Sequence, residues 1–306
     1  MSFLGIDTSN YTTSVALFDG ASGQNCSRLL DVKPGELGLR QSDALFSHIK
    51  RLPELFALLM QEMPEQTISA IGVSTRPRAV DGSYMPCFLA GISQAETLST
   101  VLGVPLYRFS HQQGHIAASL WSAKRLDLMK QPHLAWHLSG GTTELLLVEP
   151  DGKNVKAEKI GGTTDISAGQ LIDRTGKLLG LPFPSGKTLD ELSGQVPGEQ
   201  FFRVKCQDTT FSLSGVENQV HNFYAQTNSE PETAAYTLQS VIHVVLKATE
   251  NAQRQYPNLP VVFSGGVASN SRLRNAEKTF EAVFCEPQYS TDNAMGIAVL
   301  TWLQEK

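Results

Sequence analysis

The sequence predicts an α/β protein of two related lobes around a cleft, and three observations carry that prediction. Residues 3–23, FLGIDTSNYTTSVALFDGASG, and 134–152, LAWHLSGGTTELLLVEPDG, share one pattern: an apolar strand, a polar turn, a second strand and a turn signal. Each of these hairpins is followed by alternating helix-like and strand-like segments, the order expected of an α/β lobe. The chain of 306 residues, 41% of them hydrophobic, is long enough for two such lobes with their own cores.

After the first hairpin an amphipathic pattern runs from Ser42 to Met60 and predicts a helix. The strand ISAIGVST, the helix FLAGISQAETLSTVL and the strand VPLYRF follow. Beyond the second hairpin, AGQLIDRTGKLLG reads as a helix, then a Pro/Gly-rich bend, then a long helix from about Glu232 to Gln255. The strand PVVFSGG, a further helix and a last helix from about Asn293 complete the chain. With no low-complexity linker, the lobes are placed at 1–109 and 110–306, the last helix packing back on the first lobe.

Composition narrows the function. No apolar run approaches the ~20 residues that span a bilayer, and MSFLGIDTSN lacks a basic-then-apolar leader pattern, so the expected location is cytoplasmic, without a membrane partner. Cys26, Cys87, Cys206 and Cys285 have no CxxC spacing, which argues for reduced thiols rather than a zinc ribbon or disulfides. At a net charge of −5 no Lys/Arg cluster stands out, so no footprint for nucleic acid is legible and DNA is not an expected partner.

The stretch SHQQGH raises a sharper question. Ser110 and Gln113 form a capping-box pattern, so a helix starts at His111 and carries His111 and His115 on one face. A bare HxxxH is more often two ordinary histidines on an amphipathic helix than a metal site. A metal would need a third ligand, and Asp292 in STDNAMGIA is the best candidate, although an acid also sits favourably at a helix start. The glycine-rich turns LSGGTT and FSGGVASN follow apolar strands, where backbone can approach a phosphate or ribose closely. PSGKT is not a P-loop, because Gly180 is one residue too far from Gly186 and a helix precedes it. No nucleophile and base pair supports a peptidase.

In order along the chain, LGIDTS, SHQQGH, LSGGTTEL, DISAGQLIDRTGKLLGLPFPSG, FSLSG, FSGGVASNSRLR and STDNAMGIA resemble the tRNA N6-adenosine threonylcarbamoyltransferase family, formerly called O-sialoglycoprotein endopeptidase or glycoprotease. The resemblance implies the actin, hexokinase and sugar-kinase fold, two duplicated lobes around a nucleotide cleft. It implies a divalent metal, iron or zinc, on His111, His115 and Asp292. It further implies that Leu138, Ser139, Gly140, Gly141 and Thr142 hold the phosphate of an adenylate, with Asp173, Gly186, Asp190 and Asn270 at its ribose and base. The implied reaction moves a threonylcarbamoyl group from its AMP anhydride to N6 of the adenosine beside the anticodon of tRNA. A smaller protein of the same fold is the implied partner.

Several positions depart from the family pattern: Tyr11 and Thr12 for an acidic pair, Thr142 for a histidine, Arg76-Pro77-Arg78 for a glycine-rich loop, Gln170 for glutamate, and Glu217 for lysine. The chain also ends at TWLQEK where the family carries a basic, tryptophan-containing tail. These changes fall on the acceptor side. Two alternatives therefore stand beside the tRNA enzyme: a paralogous carbamoyl or acyl-adenylate transferase with a non-tRNA acceptor, and a non-catalytic nucleotide-binding partner subunit.

Overall fold

The computed structural model describes residues 1–9, 11–31, 39–64 and 66–306; Asn10 of the DTSN turn lies outside them. In chain order the elements are β1 (Ser2–Ser9), β2 (Thr12–Phe18), β3 (Gly23–Leu29), α1 (Gln41–Glu62), β4 (Ile68–Arg76), α2 (Phe88–Leu102), β5 (Leu106–Ser110) and α3 (His111–Ser122). There follow β6 (His133–Leu138), β7 (Thr143–Asp151), β8 (Asn154–Thr163), α4 (Ala168–Leu178), α5 (Gly186–Ser193), β9 (Cys206–Gln207), β10 (Thr210–Phe211), α6 (Ser214–Thr227) and α7 (Glu230–Gln255). The chain closes with β11 (Val261–Ser264), α8 (Ser271–Asn275), β12 (Ala282–Phe284) and α9 (Met295–Glu305).

Two compact units result, and their sheets repeat one plan. The first sheet has the order β3-β2-β1-β4-β5 and the second β12-β11-β6-β7-β8-β10-β9. In each, one inner strand pairs antiparallel with the next strand in sequence, β1 with β2 and β6 with β7. On its other side it pairs parallel with a strand that returns after a long connection, β4 in the first sheet and β11 in the second. The duplication legible in the two hairpins thus extends over five strands of each sheet.

The first unit comprises Met1–Gln131, Glu149–Ala157 and Asp292–Lys306; the second comprises Pro132–Val148 and Glu158–Thr291. A single boundary at residue 110 therefore differs from the observed partition. Helix α3 belongs with the first unit because it packs on α9 and on β4 and β5.

Within the first unit β1 is covered on both faces, and strand alternation decides which residue meets which helix. Leu4 and Ile6 join the core with Leu52, Leu55 and Leu59 of α1 and Ala90 and Ala95 of α2. The odd residues face α9: a Cβ on Gly5 would lie 2.4 Å from the Ala294 carbonyl oxygen, so only glycine lets that segment sit so close. The second unit is built around fully buried Trp136, whose Nε1 donates to Thr249 Oγ1 of α7 at 2.8 Å. The buried ring thus keeps its N–H satisfied. Cys26, Cys87 and Cys285 are buried thiols outside any disulfide, and Cys206 is half-buried.

His48 of α1 is fully buried, its Nδ1 2.8 Å from Thr13 Oγ1 of β2. Burial outweighs the attraction of the Asp7 carboxylate and pushes its pKa down to about 4. Below about pH 6.5 the unfolded chain takes up a proton that the native imidazole refuses, so this group costs stability as pH falls from about 6.5 toward 4. Denaturant unfolding at stepped pH should show a shallower acid loss for His48→Gln than for the wild type over that window. Parallel curves would assign the acid sensitivity to other groups.

Candidate metal and nucleotide sites

The geometry of the first site follows from how α3 starts. Ser110 ends β5 and caps α3: its hydroxyl accepts from Gln113 N, and the Gln113 side chain returns to Ser110 N at 2.9 Å. Gln113 Nε2 also donates to the Val155 carbonyl at 2.8 Å, which fixes the rotation of the first turn. His111 is therefore the first helical residue and His115 lies one turn on, with ring centroids 4.3 Å apart.

Asp292 reaches them because α9 crosses α3 at two glycines. A Cβ on Gly296 would stand 1.8 Å from the Gly114 carbonyl oxygen. Backbone meets backbone at that point, and Asp292, three residues before α9, comes level with the imidazoles. His115 Nε2 lies 3.2 Å from Asp292 Oδ1 and His111 Nε2 lies 3.5 Å from it. The two Nε2 atoms are 2.9 Å apart. One ligand atom from each of the three residues falls within 4.8 Å of the others.

A fourth residue, Asp7, completes the arrangement, and the motif reading did not single it out. Its Oδ2 is 2.6 Å from His111 Nδ1, and its Oδ1 accepts from Ser9 N at 2.8 Å. Strand parity could have found it, since Gly5, Asp7 and Ser9 share the face of β1 opposite Leu4 and Ile6. A buried carboxylate on Nδ1 fixes the imidazole tautomer and turns the Nε2 lone pair toward the other ligands. Burial alone would lower the His111 pKa, but the charges and hydrogen bonds of Asp7 and Asp292 raise it to about 10. Asp292 is held well below the carboxylate range: hydrogen bonds and charge from His111 and His115 overcome its desolvation. Two imidazole nitrogens and a carboxylate on one centre, with a second carboxylate behind one ring, fit a divalent metal such as zinc or iron.

In the second unit the Leu138–Thr142 turn follows β6, whereas the other predicted residues lie on α4, on α5 and just before α8. Leu138 closes β6, and Gly265, at φ 89°, passes so close that a Cβ there would meet the Leu138 oxygen at 2.2 Å. In the turn that follows, Ser139 N donates to the Thr142 carbonyl at 2.8 Å and Thr142 N to Ser139 Oγ at 3.0 Å. Gly140 and Gly141 face open space, where a Cβ would meet nothing within 4 Å. Helix α4 is stapled to this turn by Ser167 Oγ, which donates to the Gly140 carbonyl at 2.6 Å. Gln170 closes the capping box of α4, a task amide and carboxylate perform alike.

Asp173 accepts from Ser185 N at 2.9 Å, next to Gly186 at the start of α5. One turn along α5, Asp190 accepts from Asn270 Nδ2 at 2.7 Å and from Ser271 N at 2.9 Å. Asn270 also caps α8 through its own oxygen. Asp190 and Asn270 are thus in direct contact, and Asp173 and Gly186 meet through Ser185. Parallel strand ends beside a glycine turn are where open α/β sheets bind ligands. Glu217, the departure from lysine, pairs with Arg174 at 2.6 Å.

Repeated sheets of this topology define an α/β protein of the actin, hexokinase and sugar-kinase class. Full-length HypF in its phosphate- and nucleotide-bound form aligns over 100% of this chain and 47% of its own, with a TM-score of 0.61 at 14% identity. A ROK family glucokinase from Streptomyces griseus, in complex with glucose and AMPPNP, aligns over the whole of both chains with a TM-score of 0.54 at 9% identity. The chain belongs to the tRNA N6-adenosine threonylcarbamoyltransferase family, a family of transferases, whose profile matches residues 38–299. A relative of that name from Thermosipho africanus is 33% identical over 317 residues, covering 98% of this chain and 93% of its own. Another from Carboxydothermus hydrogenoformans is 31% identical over 312 residues, covering 96% and 90%.

Two outcomes follow from the first site. Gly296→Ala forces backbone apart, whereas Gly114→Ala meets only the flexible end of Ile297 at 2.9 Å. Titration with zinc should show Gly296→Ala losing affinity by about tenfold or more and Gly114→Ala nearly unchanged; equal effects would break the link between helix crossing and ligand set. Because metal must displace the proton that Asp7 and Asp292 stabilise on His111, apparent zinc affinity should rise with pH between 6 and 9, by up to about tenfold per unit. A flat profile would contradict that proton's displacement.

Proposed function

We propose that the protein is a metal-dependent transferase that moves a threonylcarbamoyl group from threonylcarbamoyl-AMP to N6 of the adenosine beside the anticodon of tRNA. What carries this reading is the convergence of His111, His115 and Asp292, with Asp7 behind, in a chain about 30% identical to named threonylcarbamoyltransferases over nearly its whole length. His111, His115 and Asp292 would hold the metal, which supplies Lewis-acid polarisation of the carbonyl under attack. Asp7 keeps His111 oriented for that task. The backbone of Gly140 and Gly141 leaves room for the adenylate phosphate, and Ser139 and Thr142 keep the turn rigid. Asp173, Gly186, Asp190 and Asn270 would hold the ribose and base. Anchoring AMP at several points restrains the acyl carbon for the incoming N6 amine; as the C–N bond forms and the amine gives up a proton, the C–O bond to the phosphate breaks and AMP leaves with the electron pair.

A chain with this site and this many ordered side chains around it has no need of them as a scaffold, which favours an enzyme over a binding subunit. No helix among the described residues is long and apolar enough to cross a membrane, which fits work on tRNA in the cytoplasm. A smaller protein of the same fold is the partner this reading expects.

Complementation of a strain lacking the ordinary transferase tests the proposal, with modified adenosine in tRNA read by mass spectrometry. The wild-type gene should restore the modification, and His115→Ala or Asn270→Ala should lower it at least tenfold. Failure of the wild type, with zinc and AMP binding intact in the purified protein, would move the reading to an acyl-adenylate transferase with another acceptor.

A further inference from the structure

The second unit gathers a basic strip that the sequence scatters over fifty residues. The extended segment before β9 runs along α7: Phe202 N donates to Ser240 Oγ at 2.9 Å, and Asn251 Nδ2 donates to the Asp208 carbonyl at 2.6 Å. Beside the first anchor the Phe201 ring lies 4.7 Å from the ring of His243. Val204 is buried, so Arg203 and Lys205 point outward on the same side of the segment.

On α7, His243, Lys247 and Arg254 follow one face at helical spacing and span about 16 Å. Burial and the nearby charges of Arg203 and Lys247 hold His243 below its ordinary pKa, as expected of an imidazole set among cations. The carboxylates in the strip are Asp208 and Glu250, the latter 3.6 Å from Lys247. Arg203, Lys205 and Arg254 have no carboxylate partner among the described residues.

We propose that Arg203, Lys205, Lys247 and Arg254, with the Phe201–His243 ring pair between them, form a docking strip for the phosphate backbone of an RNA. On a chain of net charge −5, four neighbouring cations, three of them without a carboxylate partner among the described residues, offer what a polyanion needs: charge that releases its counterions. A ring pair among cations adds a surface on which an unstacked base can lie. An acidic protein surface would find the same charges, but it gains nothing from an aromatic plate that a base can stack on. The proposal rests on the tRNA reading and supplies phosphate contacts that Glu217 does not.

Fluorescence anisotropy with an unmodified tRNA transcript, over a salt series, tests it in the full-length protein. The double variant Arg203→Glu/Lys205→Glu should bind at least about tenfold more weakly, with the salt slope reduced by about 2. AMP affinity should stay at the wild-type value. A control of equal charge change in the first unit, Lys124→Glu/Lys156→Glu, should retain most of the affinity. Wild-type tRNA affinity in the strip variant, or an equal loss in the control, would overturn the strip and leave the tRNA reading standing. Absence of tRNA binding by the wild type would overturn both.

Discussion

The contact between Gly114 and Gly296 is the constraint on which the first site depends. Helices usually pack with axes about 8–10 Å apart because side chains intervene. Here the Gly114 carbonyl takes the place that a Gly296 side chain would fill, and α9 is drawn onto α3 and onto β1 at Gly5. That closeness lets a carboxylate three residues before α9 meet two imidazoles on α3, 177 and 181 residues earlier in the chain. The cluster would be costly to bury without compensation. Asp7 and Asp292 both contact His111, so a proton or a metal must balance two acids in a half-buried pocket.

The two sheets place different local arrangements on one duplicated plan. In the first, the central strand carries an acid on the face toward α3 and α9, and Ser9 N holds that acid in place. In the second, β6 ends at Leu138, a turn with two glycines in open surroundings follows, and the adjoining strand end passes Leu138 at Gly265. Side chains converge in one case and bare backbone is left open in the other. The same parallel pairing, β1 with β4 and β6 with β11, positions both.

Much of this was legible in the sequence. The hairpins, the helix 88–102 and the capping box at Ser110 rest on local rules that tertiary structure did not override. The remainder depended on distant partners. Helix α6 buries only Val216 and Val220, and its start is fixed by Asp165, whose side chain accepts from Leu213 N and Ser214 N. β9 and β10 have two residues each, too few for any pattern. Asp7 was hidden in a turn motif because its role depends on which face of β1 it occupies. The basic strip was hidden because its two halves, 203–205 and 243–254, are separated in the chain and neither forms a Lys/Arg cluster by itself.

X-ray absorption at the zinc edge of the loaded protein tests the central claim most directly. The account predicts an all-nitrogen and oxygen shell at about 2.0–2.2 Å with the scattering of two imidazoles. A sulfur shell at about 2.3 Å, or scattering from fewer than two imidazoles, would contradict a site built from His111, His115 and Asp292.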